Sequence, residues 1–485
     1  MIRLNTVNKI IGTLLFLEAT MMGLCMGMSL YLGEEDSLAF VMAVIVTVLG
    51  GVFFKYLGRN SDNTLGRREA FLLVTLTWLI FSLFGSLPFL ISGHIRHFTD
   101  AYFETISGFT TTGCSILTDV ERLPHALLFW RTMTQWIGGL GIAFFTIAII
   151  PSLVGGSVKV FAAEATGPMR AKMHPRLSTT AKWIWSIYLA LTAACAVCYY
   201  QAGMTLFDAL NYAMTTTATG GFSTHNSNTG FYHNPCIDYT CITFMFLSGT
   251  SFTLLYATLF KRRWRQFINN TEFRFYVTTI LVATAIITAM LIFGNGYHWT
   301  EALRKGLFQV VSFISTTGIF NDDVSQWHHF AWVILLSCAL LGACSGSTGG
   351  GFKCIRVVMV INILRNEMKR SLHPRAVLPV KVNHTTVPYA SQVTLLAFFT
   401  AYIGLCAFSY FCMAIAGIDT NNALTIAISC ASNVGPSLSS HLGEPFSWGM
   451  LPAWTKWLLS GLMLMGRLEV FTVLVLFTKT YWKER

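Results

Sequence analysis

Apolar residues run through this chain in long, nearly uncharged stretches, not in the short periodic patches of a soluble amphipathic helix or strand. At about 20 apolar residues per membrane crossing, these stretches predict spanning helices over 10–32, 37–57, 70–92, 124–150, 180–202, 238–260, 275–294, 328–364, 389–416 and 453–478. Ten crossings put both termini on one side. The first stretch follows Arg3 and Lys9 and has the look of a secretory leader. It is too long for one, lacks a small-residue cleavage site and leads straight into a second stretch, so it reads as a retained helix.

The polar interruptions on the outer side share a pattern. Four of them hold a short amphipathic stretch that runs into a small, hydroxyl-rich, glycine-ended loop: TDAYFETISGFTTTG (99–113), LFDALNYAMTTTATGG (206–221), EALRKGLFQVVSFISTTG (301–318) and NNALTIAISCASNVG (421–435). Twelve residues before each terminal glycine stand Ala101, Ala209, Gly306 and Ala423, and six before stand Ser107, Thr215, Ser312 and Ser429. The unit is helix, half-helix, loop, helix, repeated four times. It predicts an all-α polytopic membrane protein with four pseudo-symmetric repeats around one pore. Its parts are two extra N-terminal helices (1–69), repeats over 70–176, 177–270 and 271–380, the third with a gating loop, and a fourth repeat over 381–485.

Composition agrees. The 485 residues are 54% hydrophobic and 11% charged, with a mean hydropathy of +0.57, where soluble domains carry about 25% charged residues. A net charge of +11 could suggest a nucleic-acid partner. Yet all lysines and arginines except Arg96, Arg122, Arg131, Arg304, Lys305, Lys456 and Arg467 fall in segments 1–9, 55–69, 156–182, 261–274, 353–381 and 479–485. That alternation is the positive-inside pattern with cytoplasmic termini, and it leaves no basic face for nucleic acid. The cysteines lie mostly in apolar runs, including Cys195 and Cys198, and act as small hydrophobes. A disulfide between Cys236 and Cys241 stays an open alternative.

Irregular backbone at membrane depth survives only where protein buries it or water lines it. Four re-entrant loops meeting on one axis meet that condition by forming a pore, and their carbonyl oxygens can replace the water shell of a monovalent cation. Half-helix C-termini aimed at the axis favour a cation. The predicted filter is Thr110, Thr111, Thr112 and Gly113; Ala218, Thr219, Gly220 and Gly221; Ser315, Thr316, Thr317 and Gly318; and Ser432, Asn433, Val434 and Gly435. Small hydroxylic residues also serve as plain helix packing, but four sets at one position in a repeat argue for the filter. Asp100, Glu104, Asp119, Glu121, Asp208, Asp322, Asp323, Asp419 and Glu444 could gather cations at the mouth, with Asp100 and Asp208 equally placed to compensate a helix N-terminus.

Two features break the pattern. The eighth crossing is interrupted by GACSGSTGGGFK (342–353), which reads as a mobile segment lining the cavity beneath the third loop, with a passive link as the alternative. Its likeness to a phosphate loop fails, because Phe352 precedes Lys353 and the setting is an apolar helix. The last crossing carries Arg467 roughly 20 Å from one end, expected to line the cavity as an electrostatic barrier, with Glu469 turned away from it.

The stretches SGFTTTG, ATGGFSTH, ISTTG, SNVGP, GACSGSTGGGFK and MGRLEVFTVLVLF together resemble the Trk potassium-uptake proteins, the membrane subunits of the Trk/Ktr/HKT superfamily. The resemblance covers nearly the whole chain. It implies potassium uptake across the inner membrane by a homodimer in which each protomer has its own pore. It also implies regulation by a cytosolic, nucleotide-binding ring protein of the TrkA type. In that family the interrupted helix is an intramembrane gating loop, here including Gly342, Ser345, Gly346, Ser347, Thr348, Gly349, Gly350 and Gly351, and Arg467 matches the arginine of its last helix. No bound cofactor is implied; potassium is the cargo. Nothing in the sequence suggests catalysis. The rival reading is a secondary transporter that couples potassium to sodium or protons.

Overall fold

Backbone groups in lipid have no water to bond, so long apolar runs must close their hydrogen bonds internally as helices. The computed structural model describes residues 3–61, 65–141, 177–383, 385–436 and 447–483. Its helices are α1 (Leu4–Leu32), α2 (Ser37–Leu57), α3 (Arg67–Gly85), α4 (Phe98–Phe109), α5 (His125–Gly139), α6 (Leu177–Gln201), α7 (Leu206–Ala218), α8 (Pro235–Ser248) and α9 (Phe252–Leu259). They continue as α10 (Thr271–Asn295), α11 (Trp299–Ile314), α12 (His329–Leu341), α13 (Cys354–Leu372), α14 (Tyr389–Ile415), α15 (Thr420–Ser432), α16 (Ala453–Leu468) and α17 (Val470–Leu474), with a few single-turn helices between. Among the described residues, a two-residue antiparallel pair, Lys381–Val382 with Thr385–Thr386, is the small departure from helix.

Among the described residues, six helices are long and apolar enough to cross a membrane, or eight if each bent pair counts as one span, against ten expected along the whole chain. The shortfall has physical causes. The 238–260 stretch is α8 and α9, bent by 98° at Gly249–Ser251, and the 453–478 stretch bends by 118° at Glu469. The 328–364 stretch divides into α12 and α13, as its glycines foretold. The 124–150 stretch is described only to Gly141.

Helices α4, α7, α11 and α15 are the four half-helices read from the repeat. Their C-terminal halves are buried, and several of the hydroxyls there bond back one turn: Thr105 Oγ1 donates to Ala101 O at 2.7 Å and Thr217 Oγ1 to Ala213 O at 2.8 Å. Aromatic side chains fill the space behind them. Trp78, Phe81 and Trp130 share a buried cluster with Phe109 of the first, Tyr199 and Tyr276 with Tyr212 of the second and Phe308 and Phe313 of the third, and Phe398 and Tyr402 with Ile426 of the fourth. Each half-helix is thus wedged between spanning helices, with its C-terminus pointing inward.

Candidate functional site

Each half-helix must satisfy the carbonyls of its last turn, and all four do so in one way. Thr112 N–H donates to Ser107 O (2.9 Å), Gly220 to Thr215 O (2.9 Å), Thr317 to Ser312 O (2.8 Å) and Val434 to Ser429 O (3.0 Å). The residue just before donates three positions back, Thr111 to Gly108 O, Thr219 to Thr216 O, Thr316 to Phe313 O and Asn433 to Cys430 O. This pair of bonds is a Schellman ending, which places one residue in the left-handed region. Here that residue is Thr111 (φ 52°), Thr219 (55°), Thr316 (58°) or Asn433 (55°) instead of the usual glycine. A β-branched residue held there costs on the order of 1–3 kcal/mol and persists only where its surroundings enforce it.

The glycine two positions on is the part that cannot change. Gly113, Gly221, Gly318 and Gly435 have φ of 81°, 85°, 73° and 100°. A Cβ on Gly113 would press on Gly220 O, one on Gly221 on Thr317 O, one on Gly318 on Val434 O and one on Gly435 on Thr112 O, each inside 3.0 Å. Loop one thus abuts loop two, two abuts three, three abuts four, and four closes on one. Eight of the sixteen predicted filter residues make these contacts: Thr112, Gly113, Gly220, Gly221, Thr317, Gly318, Val434 and Gly435; the other eight immediately precede them at the helix ends. Peptide oxygens crowd together there, and four helix C-termini end beside them.

The loops are held from behind by residues that sequence reading missed. Gln135, fully buried on α5, donates to Gly220 O at 2.7 Å while accepting from Thr215 Oγ1 at 2.6 Å and Phe222 N–H at 3.2 Å. Glu104 is not at the mouth as expected. It is buried, bonded to Arg131 Nε at 2.9 Å, and also accepts from Ser115 Oγ and Ile116 N–H. Arg131 reaches Ser223 O and stacks over Phe222, tying the exit of loop one to that of loop two.

Most other outer carboxylates also have structural work. Asp100 pairs with Lys456 at 2.6 Å, Asp322 with Lys305 at 3.1 Å, and Asp119 with Arg122 at 2.7 Å. Asp323 and Asp419 cap short helices. Glu444 lies outside the described residues. Burial pushes the Asp208 carboxyl up, but His225, whose Nε2 lies 3.7 Å from Oδ2, and hydrogen bonds from Thr224 and Thr205 outweigh it and hold the group well below the usual carboxylate range. The same contact with Asp208 raises His225 above its ordinary value against the opposing effect of burial, with Glu121 adding to the rise. All twelve cysteines are free, and no group of three metal-ligating side chains occurs among the described residues.

The 342–353 segment lies against three of the four loops on the side where the half-helices end. Gly350 N–H donates to Thr316 Oγ1 at 2.5 Å and Thr348 Oγ1 to Thr217 O at 3.1 Å, and a Cβ on Gly350 would clash with Ser432 O. Lys353 Nζ bonds Gly349 O within the segment. Arg467 does not stand in the middle of a straight span. It occupies the last turn of α16 just before the bend, where a cation complements the helix end. Its guanidinium donates to Thr348 O at 2.7 Å and to Gly138 O and Gly139 O at 2.6 Å, joining the segment to α5. Glu469 is paired with Arg356 of α13.

A family model described as TrkH, cation transport protein, matches residues 36–484. The Trk system potassium uptake protein TrkH of Salmonella typhimurium is 37% identical over 483 residues, covering 99% of both chains. TrkG of Escherichia coli K12, also named a Trk system potassium uptake protein, is 30% identical over 99% of both. The crystal structure of the potassium transporter TrkH from Vibrio parahaemolyticus superposes with a TM-score of 0.88 at 34% identity, again over 99% of both chains.

Proposed function

Because the chain belongs to the TrkH cation transport family, we propose that it takes up potassium through the ring of four loops, with the carbonyls of Thr110–Gly113, Ala218–Gly221, Ser315–Gly318 and Ser432–Gly435 solvating the dehydrated ion. The observation that carries this reading is the closed cycle in which each loop glycine abuts the carbonyl preceding the next loop's glycine. Only four loops converging on one axis produce that cycle. In this reading the 342–353 segment is the gate, and Arg467, bonded to Thr348 O, biases it electrostatically. Both termini are cytoplasmic, supported by the lysine and arginine distribution. The chain pairs with a second copy and answers to a cytosolic nucleotide-binding ring protein, as the family resemblance implies.

No catalytic step is required, since pre-organised oxygens alone lower the barrier for a bare cation. Rubidium uptake into vesicles holding the purified protein, with and without imposed sodium or proton gradients, tests the reading. Uptake that saturates, prefers rubidium over sodium and ignores those gradients supports a channel-like pore. Uptake driven by either gradient would establish the coupled-transporter alternative, and no uptake would refute both.

A further inference from the structure

The stretch between α12 and α13 has no regular structure, so its backbone must be held from outside. Glu272, in the first turn of α10, does much of this. Its carboxylate is buried, and Oε1 accepts from Ser345 N–H at 2.5 Å and from Ile355 N–H at 3.2 Å. Ser345 lies near the start of the stretch. Ile355 lies just past its end, in the first turn of α13, a helix with no side-chain cap of its own. One oxygen thus ties both limbs of the segment and supplies an acceptor for an otherwise orphaned helix donor.

A second seat faces the same segment. The 98° bend between α8 and α9 frees backbone groups, and the segment uses them: Cys344 N–H donates to Gly249 O at 3.0 Å, Phe252 N–H to Gly346 O at 2.9 Å and Thr348 Oγ1 to Ser248 O at 3.2 Å. Moving the segment away would strip a buried carboxylate of its donors and leave peptide groups unpaired in an apolar setting, both costly. The docked position is therefore favoured, and Glu272 is a charged group whose carboxylate grips both limbs.

We propose that Glu272 is the positioning residue that latches the 342–353 segment in its docked, closed position, an inference that rests on reading that segment as the gate. Rubidium uptake into vesicles without any regulator tests it, using full-length wild type, Glu272→Ala, Glu272→Gln, deletion of Gly349–Gly351, and the deletion combined with Glu272→Ala, each checked for a monodisperse, folded species. A hydrogen bond to a charged acceptor biases an equilibrium by on the order of tenfold. Basal uptake should therefore rise at least about tenfold in Glu272→Ala, and less in Glu272→Gln, which keeps an acceptor oxygen. The alanine change should add nothing to the deletion, because both act on one element. If the deletion raises uptake but Glu272→Ala leaves or lowers it, the latch is overturned and the gate stands. If the deletion itself fails to raise uptake, the gate reading falls and takes the latch with it. Should the alanine variant not fold, a glutamine variant with wild-type basal uptake overturns the latch by the same standard.

Discussion

Replacing Gly113 by serine perturbs the ring at one point. The residue sits at φ 81°, and a Cβ there would stand inside 3.0 Å of Gly220 O, where ordinary contact begins at 3.4 Å. Loop one or loop two must therefore retreat by at least 0.4 Å, and the left-handed backbone adds about 1–2 kcal/mol of local strain for a side chain. One quarter of the coordinating shell then loses its geometry. A loss of only about 1.4 kcal/mol in the difference between bound potassium and bound sodium lowers the selectivity ratio tenfold, so a fall of at least that size is expected. The assay is competing rubidium and sodium uptake in vesicles. Gly33→Ser is the control: at φ 69° with nothing within 4 Å of the new Cβ, it carries the backbone strain without touching the ring. A folded Gly113→Ser protein with an unchanged ratio would refute the assignment of the ring as the filter.

Gly350→Ala places a methyl against Ser432 O without a positive φ, so it should push the segment off the loops and raise basal rubidium uptake several-fold; unchanged uptake would show the contact to be slack. Arg131→Ala leaves Glu104 buried without its guanidinium, which costs about 3–5 kcal/mol, and should appear as a large drop in the unfolding temperature of the purified protein, partly restored by adding Glu104→Gln. His225 has a folded pKa raised by Asp208 and Glu121, so its contribution is complete below its ordinary value of about 6.5 and fades as pH climbs through the raised one. The unfolding temperature of His225→Asn should therefore trail wild type more at about pH 6 than at about pH 9, and an equal gap at both would remove the ion pair from the account.

The half-helices were legible because their signature is local. A small residue, a hydroxyl and a glycine recur at fixed offsets, and the chemistry that needs them, burial followed by a positive-φ exit, acts within a dozen residues. The breaks at Gly249–Ser251 and Glu469 were not legible, because the apolar runs continue on both sides and hydropathy over a window does not register a turn. Ion pairs were the least visible. Glu104 with Arg131, Asp100 with Lys456 and Glu469 with Arg356 join residues on different helices or helix ends, so Glu104 and Asp100 read as mouth charges and Glu469 as an acid without an obvious partner until the fold brought the pairs together. Gln135 gave no signal at all. A lone glutamine on an apolar helix acquires meaning only beside the carbonyl it holds.

The cycle of abutting loops also has a mechanical meaning. Like the stones of an arch, each loop is kept in place by the next, so none can give way without unloading its neighbours. Damage at one glycine should spread round the whole opening, and a second substitution elsewhere in the circle should then worsen ion discrimination far less than it would alone.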